Sequence, residues 1–291
     1  MRVTTVDMFG VAPGRGSTLD VLVPEDPHGP HGVDGAGEAT AAEEAAAHAR
    51  RTPADESALV VECRSAERTF ASRIFNAAGE TPFATHSLAG TAAYLVGAGC
   101  LPAGEVSRTA ESGTQPLWTD GREVRVPFAG PLVHEEVPYD AALFGPYTGT
   151  PYAGGVGRAF TLLPVTEDPR TLPAPDPGRM RERNLTDLIL YRWDPVRAEV
   201  LARVFAPGFG IPEDAGCLPA AAALGATALG PATDVRQPVT VRQVTARRTE
   251  SVFHCTGSVR DGAVSMTVTG RVWTGGTGDR EAGASRKAGA S

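Results

Sequence analysis

The chain has 291 residues, enough for one large domain or two of about 140, each with ample core. Hydrophobic residues make up 42% and charged residues 21%, an ordinary globular balance, and a net charge of −7 with no basic cluster argues against a nucleic-acid or anionic-membrane partner. Cys63, Cys100, Cys217 and Cys255 lie far apart with no Cys-x-x-Cys spacing, which excludes an obvious zinc or iron–sulfur site and argues against a disulfide framework. No apolar run approaches the ~20 residues that span a bilayer, and the opening MRVTTVDMFG reads as a strand, so a cytoplasmic protein is expected.

In chain order, residues 3–9 read as a strand, and Pro13, Gly14 and Gly16 turn the chain into a second at 18–23. Residues 24–37, rich in Pro, Gly and His, read as a flexible loop. His28 and His31 are close enough to share a metal, but no third ligand lies nearby. Residues 38–51 read as a helix, with acids early and arginine late as the dipole prefers. Residues 52–55 break it, and Glu56 opens a strand at 57–64. A carboxylate at such a junction is either solvated and idle or held at a cleft rim.

Residues 69–76 are a further strand, 87–98 a helix, and 102–106 a crossover between halves. Strands are expected at 115–118, 123–128 and 132–137, with Asp120-Gly121 as a hairpin turn. Residues 138–157 read as a loop, 160–165 as a strand, and 173–183 as a Pro-broken linker with a short helix. Strands at 185–193, 199–205, 239–245, 251–259 and 263–272 complete the count. Residues 274–291 are expected to form a disordered tail. Many strands and few long helices indicate an α+β protein.

One local design occurs twice. RVFAPGFGIPEDAGCLPAAAALGATALG, from Arg203, runs from a strand end through a Pro/Gly turn to Glu213 and Asp214. Cys217 follows, then a run of Ala and Leu that packs as a tight helix. RIFNAAGETPFATHSLAGTAAYLVG, from Arg73, repeats it with Glu80, His86 and an Ala/Gly/Leu helix. Such a helix, buried end-on, offers free N–H groups and a positive dipole end to an anion. Two of them suggest pseudo-equivalent halves facing a shared cleft, although an Ala-rich chain also produces Ala-rich helices without design. A thiol placed like that of Cys217, before a helix, is expected to have a lowered pKa.

The pattern resembles the phenazine-biosynthesis isomerase (PhzF-like) family, which shares the diaminopimelate-epimerase fold. VDMFGVAPGRGSTLDVLV resembles its opening strand–turn–strand, and ADESAL its segment carrying the catalytic glutamate. RIFNAAGETPFATHSLAGTAAYL and RVFAPGFGIPEDAGCLPAAAALGATAL resemble its two helix-bearing motifs. The resemblance implies an α+β protein of two pseudo-symmetric lobes, each a barrel-like, mostly antiparallel sheet around a central helix. The lobes would cover residues 1–104, to which a last strand at about 263–273 returns, and 105–262. By position Glu56 matches the family's acid/base, His86 its histidine and Asp214 its aspartate. Ser17, Thr85, Ser87, Gly216 and Leu218 stand at positions around the substrate.

What the resemblance implies for activity is cofactor-independent proton transfer, with no metal, on a small substrate bearing a carboxylate, in a homodimer. The departures are specific. The family's Gly before His is Thr85, its Thr-Gly-Ser is Cys217-Leu218-Pro219, and its opening Gly-Asn is Gly16-Ser17. The anion pocket is therefore rebuilt, and a small amino acid or a cyclic unsaturated acid, such as a proline or pyrroline, is the expected substrate. Cys217 also stands at the spacing of the catalytic cysteine in epimerases and racemases of this fold, whose partner cysteine would fall at Ala84. A Cys217-dependent epimerase and a non-catalytic binder of small acids are the alternatives.

Overall fold

The computed structural model describes residues 1–24, 35–81, 85–110, 113–230 and 238–274. The chain starts with an antiparallel pair, β1 (Arg2–Met8) and β2 (Ser17–Val23). Helix α1 (Gly35–Ala49) crosses over to β3 (Glu56–Arg64), parallel to β2, and β4 (Thr69–Asn76) returns antiparallel. The short β5 (Gly79–Glu80) folds back along β4 before α2 (Thr85–Gly97). Then come β6 (Gly104–Ala110), parallel to β4, β7 (Gly113–Thr119) and the long β8 (Glu123–Glu136).

The second half repeats this order. After α3 (Ala141–Phe144), β9 (Tyr152–Val156) pairs antiparallel with β10 (Arg158–Pro164). Helix α4 (Pro177–Glu182) leads to β11 (Leu188–Asp194), parallel to β10, and β12 (Glu199–Ala206) returns antiparallel. The short β13 (Ile211–Asp214) folds back along β12 and precedes α5 (Leu218–Leu229). Next is β14 (Val239–Val244), parallel to β12, and finally β15 (Glu250–Arg260) and β16 (Ala263–Thr274).

Following the pairings closes two rings. One runs β16-β1-β2-β3-β4-β6-β7-β8 and back to β16; the other runs β8-β9-β10-β11-β12-β14-β15-β16 and back to β8. Each closure removes the exposed edges that an open sheet would leave. Helix α2 packs against every strand of the first ring, and α5 against most of the second. This is an α+β architecture of two pseudo-equivalent barrels sharing β8 and β16. Strands β6 and β7 lie in the first ring, beyond the 104/105 boundary that the sequence suggests, because the α2 crossover returns β6 to the edge of β4.

The small residues of α2 and α5 follow from this enclosure. A Cβ at Gly90 would lie 2.8 Å from Leu19 Cδ2, and one at Gly225 would lie 2.7 Å from Cys255 Cβ. Only narrow helices fit inside rings of this size. Gly225→Val is expected to lower the unfolding free energy by about 1–3 kcal/mol through overpacking, read from urea melts.

The recurring Arg-x-Phe strand has a structural reason as well. Arg73 on β4 makes a two-pronged pair with Glu80 on β5, at 2.8 and 2.6 Å. Arg203 on β12 binds Glu213 on β13 at 2.6 Å, with its guanidinium over Phe205. In each half the pair ties the returning short strand to its parent and so fixes the approach to the central helix.

Several sequence expectations need correction. Of residues 102–106, expected as a crossover, 104–106 begin β6. The two strands expected at 123–128 and 132–137 are one, because β16 pairs straight through, with Val264 opposite Gly130 and Ala263 opposite Pro131. The loop expected over 138–157 contains α3 and β9. His28, His31 and the expected tail from 275 onward lie outside the described residues. No helix among the described residues is long and apolar enough to cross a membrane.

Candidate active site

Both central helices start on one cleft, whose lining includes Thr85 and His86 of α2, Pro219 of α5 and the cap residue Cys217. Glu56 and Asp214 reach it from the ends of strands. Glu56 is the first residue of β3, opposite Leu19 on β2, and Asp214 is the last residue of β13, opposite Val204. Two sequence-distant carboxylates and a histidine thus meet where the rings face each other.

Glu56 is 2% exposed. Its Oε2 lies 3.1 Å from His86 Nε2 and also accepts a hydrogen bond from the Ser87 hydroxyl. Both contacts fall on one oxygen, so Oε1 has no hydrogen-bond partner among the described residues. Consecutive residues in the first turn of α2 therefore orient the carboxylate. Burial by itself would lower the His86 pKa, but the charge and hydrogen bond of Glu56, helped by Asp214 and Asp55, outweigh it and raise it from 6.5 to about 9. At neutral pH His86 is a buried cation paired with Glu56.

The sign of this shift sets a pH dependence. A histidine raised from 6.5 to about 9 contributes stability that is fully present below 6.5 and lost as pH rises through about 9. Unfolding free energy is expected to decline across that window, and His86→Asn to flatten the decline, as measured by denaturant melts at several pH values.

Asp214 is pushed above the usual carboxylate range by burial, against the opposing pull of His86 and of its hydrogen bond from the Gly216 N–H at 2.9 Å. Cys217 caps α5 without a side-chain capping bond. Burial, with the nearby Asp214 charge, drives its thiol well above the usual range. This reverses the lowered pKa expected from its place before a helix, because loss of solvent outweighs the helix end.

The other sequence candidates have different surroundings. Thr85 lines the cleft, and Ser87 acts on it only through Glu56. Ser17 is buried off the lining and donates to Asp55 at 3.1 Å. Gly216 packs against Ser17 and Phe9, where a Cβ would come within 3.1 and 3.2 Å of side-chain carbons, and the Leu218 side chain is wholly buried in the core. Neither Gly216 nor Leu218 lines the cleft.

Lining residues absent from the sequence candidates include Arg158, Phe160, Asp187 and Phe209. Asp187, 3% exposed, carried a signal in the sequence: a lone acid immediately before the apolar strand that it precedes. Among the described residues no group of three or more His, Cys, Asp or Glu side chains is placed to hold a metal ion.

No protein-family model matches this sequence, and no curated protein does. Solved structures do. A phenazine-biosynthesis PhzC/PhzF protein from Clostridium difficile superposes with a TM-score of 0.72 at 14% identity, covering 95% of this chain and 98% of that one. This chain has the PhzF fold. A PhzF-family protein from Enterococcus faecalis gives 0.71 at 17% identity over 93% and 95% of the two chains. A hydroxyproline epimerase from Agrobacterium vitis, with bound trans-4-hydroxy-L-proline, gives 0.57 at 16% over 94% and 90%. At these identities the likeness is one of fold.

Proposed function

We propose that the protein is an isomerase that moves a proton between carbons of a small amino acid or cyclic unsaturated carboxylic acid, with Glu56 as the acid/base. The observation carrying this reading is the buried Glu56–His86 pair on the cleft, with one carboxylate oxygen held and the other left over. Glu56 Oε1 accepts the proton from a carbon activated by its neighbouring unsaturation. His86, already cationic, and the N-terminal end of α2 offset the negative charge that develops on the substrate. Glu56 then returns the proton to another carbon, so proton and electrons balance without any redox partner. Asp214, kept towards its neutral form, holds the substrate by hydrogen bonding. The fold's occurrence in a hydroxyproline epimerase favours five-membered ring acids as the first compounds to try.

The test is proton exchange in heavy water, followed by NMR, with prolines, pyrroline carboxylates and dienyl amino acids. Enzyme-dependent deuterium uptake is expected, slowed by about 10² to 10⁴ in Glu56→Gln. Binding with no uptake across the panel would instead identify a non-catalytic binder.

Cys217 supports a second reading, epimerisation, because it lines the same cleft. Its raised pKa weighs against a thiolate base at neutral pH. Cys217→Ser is accordingly expected to retain exchange within about tenfold of the wild type, a smaller effect than loss of a general base. Exchange abolished in Cys217→Ser but kept in Glu56→Gln would transfer the base role to the thiol.

A further inference from the structure

We infer that Arg158 is the residue that recognises the substrate's carboxylate, an inference that rests on the proposed reading of the cleft as an acid-binding site. Sequence logic points to the start of α5 as the anion site, but several of the donors expected there are committed or missing. The Gly216 N–H is bound to Asp214 at 2.9 Å and the Cys217 N–H to Gln243 Oε1 at 2.6 Å. Pro219, in the first turn, has no N–H at all. The cleft also presents the Glu56 and Asp187 carboxylates to any incoming anion. Two cations face these acids on the lining: His86, engaged by Glu56, and Arg158.

Arg158 is built to hold one orientation and still bind. Its Nη2 donates to Asp187 Oδ2 at 3.2 Å, and its guanidinium lies 4.7 Å from the Phe160 ring centre and 4.8 Å from that of Phe209. Asp187 is fixed in turn by the Thr161 N–H at 3.0 Å and the Thr186 hydroxyl at 3.0 Å. The remaining guanidinium donors have no acceptor among the described residues, and the side chain is 45% exposed. A planar fork anchored along one edge and stacked on aromatic rings matches a carboxylate along its other edge. The neighbouring surface is hydrocarbon, from Phe160, Phe209, Ile211 and Val204. One guanidinium with a free donor edge beside an apolar wall selects a compact, mostly hydrocarbon monocarboxylate over a dicarboxylic acid.

The probe is an unreactive ring acid, cyclopentanecarboxylate, set against its neutral carboxamide. The readouts are calorimetry and the 15N-labelled arginine Nε–Hε signal that disappears in Arg158→Gln. The acid is expected to shift that signal saturably and to bind at least about tenfold more tightly than the carboxamide, the scale of a charge-assisted contact. Arg158→Gln should erase the preference, while Arg158→Lys, which keeps charge without the fork, recovers part of it and controls for misfolding. An unmoved Arg158 signal, no binding of the acid, or an unchanged preference in Arg158→Gln overturns the inference. Glu56→Gln is expected to keep the preference intact. Retained deuterium exchange in that variant would therefore remove the proposed base while leaving Arg158's role standing.

Discussion

Glu56→Gln is expected to fold as the wild type does and to lose between about 10² and 10⁴ in turnover, the range for a general acid–base group. Glutamine keeps the shape of the side chain and an acceptor for the Ser87 hydroxyl, so packing at the first residue of β3 is conserved. What disappears is the basic oxygen and the charge opposite His86. The change has a second readout, independent of substrate. Without the principal group raising it, His86 is expected to titrate well below about 9, measurable from its imidazole NMR signals. A His86 titration unchanged in Glu56→Gln would show that the pair is not the source of the shift. Full turnover in the same variant would remove Glu56 from the chemistry.

The second large effect is on stability. Arg203 is 3% exposed, and besides Glu213 it donates to the Leu172 carbonyl at 2.7 Å and the Pro169 carbonyl at 3.3 Å. Arg203→Met removes the charge while keeping some hydrocarbon. It strands a partly buried carboxylate and deprives two carbonyls of their donor. Breaking a buried pair from one side costs about 3–5 kcal/mol. Glu213 keeps a hydrogen bond from the Ala246 N–H at 3.0 Å, which favours the lower end. A loss of about 3 kcal/mol corresponds to a fall in melting temperature of roughly 6–12 °C at this chain size.

The equivalent change in the first half is the control. Arg73 is 33% exposed and Glu80 43%, so water screens that pair, and Arg73→Met is expected to lose about 1 kcal/mol or less. Equal losses at the two positions would show that burial does not set the difference.

The comparison of these arginines also shows what the sequence could convey. The repeated Arg-x-Phe strand followed by an acid and an Ala-rich helix was legible, because each part is a local signal of strand, turn and tight packing. Glu56, His86 and Asp214 were legible through the motifs containing them. The depth of each arginine was not, since it depends on which loops close over it: residues 169–172 shield Arg203. Arg158 and Asp187 stand 29 positions apart in the chain and meet across the parallel β10–β11 pair, a register that no local pattern reports. Strand β9 was hidden by its own composition. Its Gly154 and Gly155 read as a loop, whereas a Cβ at Gly154 would come within 2.7 Å of Leu162 Cδ1. Glycine is there for close approach, not for flexibility. The thiol of Cys217 differs from the sequence expectation for a related reason: the helix end is a local feature, but the partial burial of the thiol depends on what packs around it.

The sharing of β8 and β16 between the rings has a consequence for the order of assembly. Strand β1 completes its pairing only when residues 272–274 are present, although it precedes the other described strands in the chain. The second ring needs the same strand, β16, which bonds β8 along nine consecutive residues from Ala263 to Arg271. During synthesis neither barrel can be sealed until β16 has cleared the ribosome. Until then α2 and α5 have no closed wall around them, and the two halves of the cleft become fixed relative to each other in the same late event.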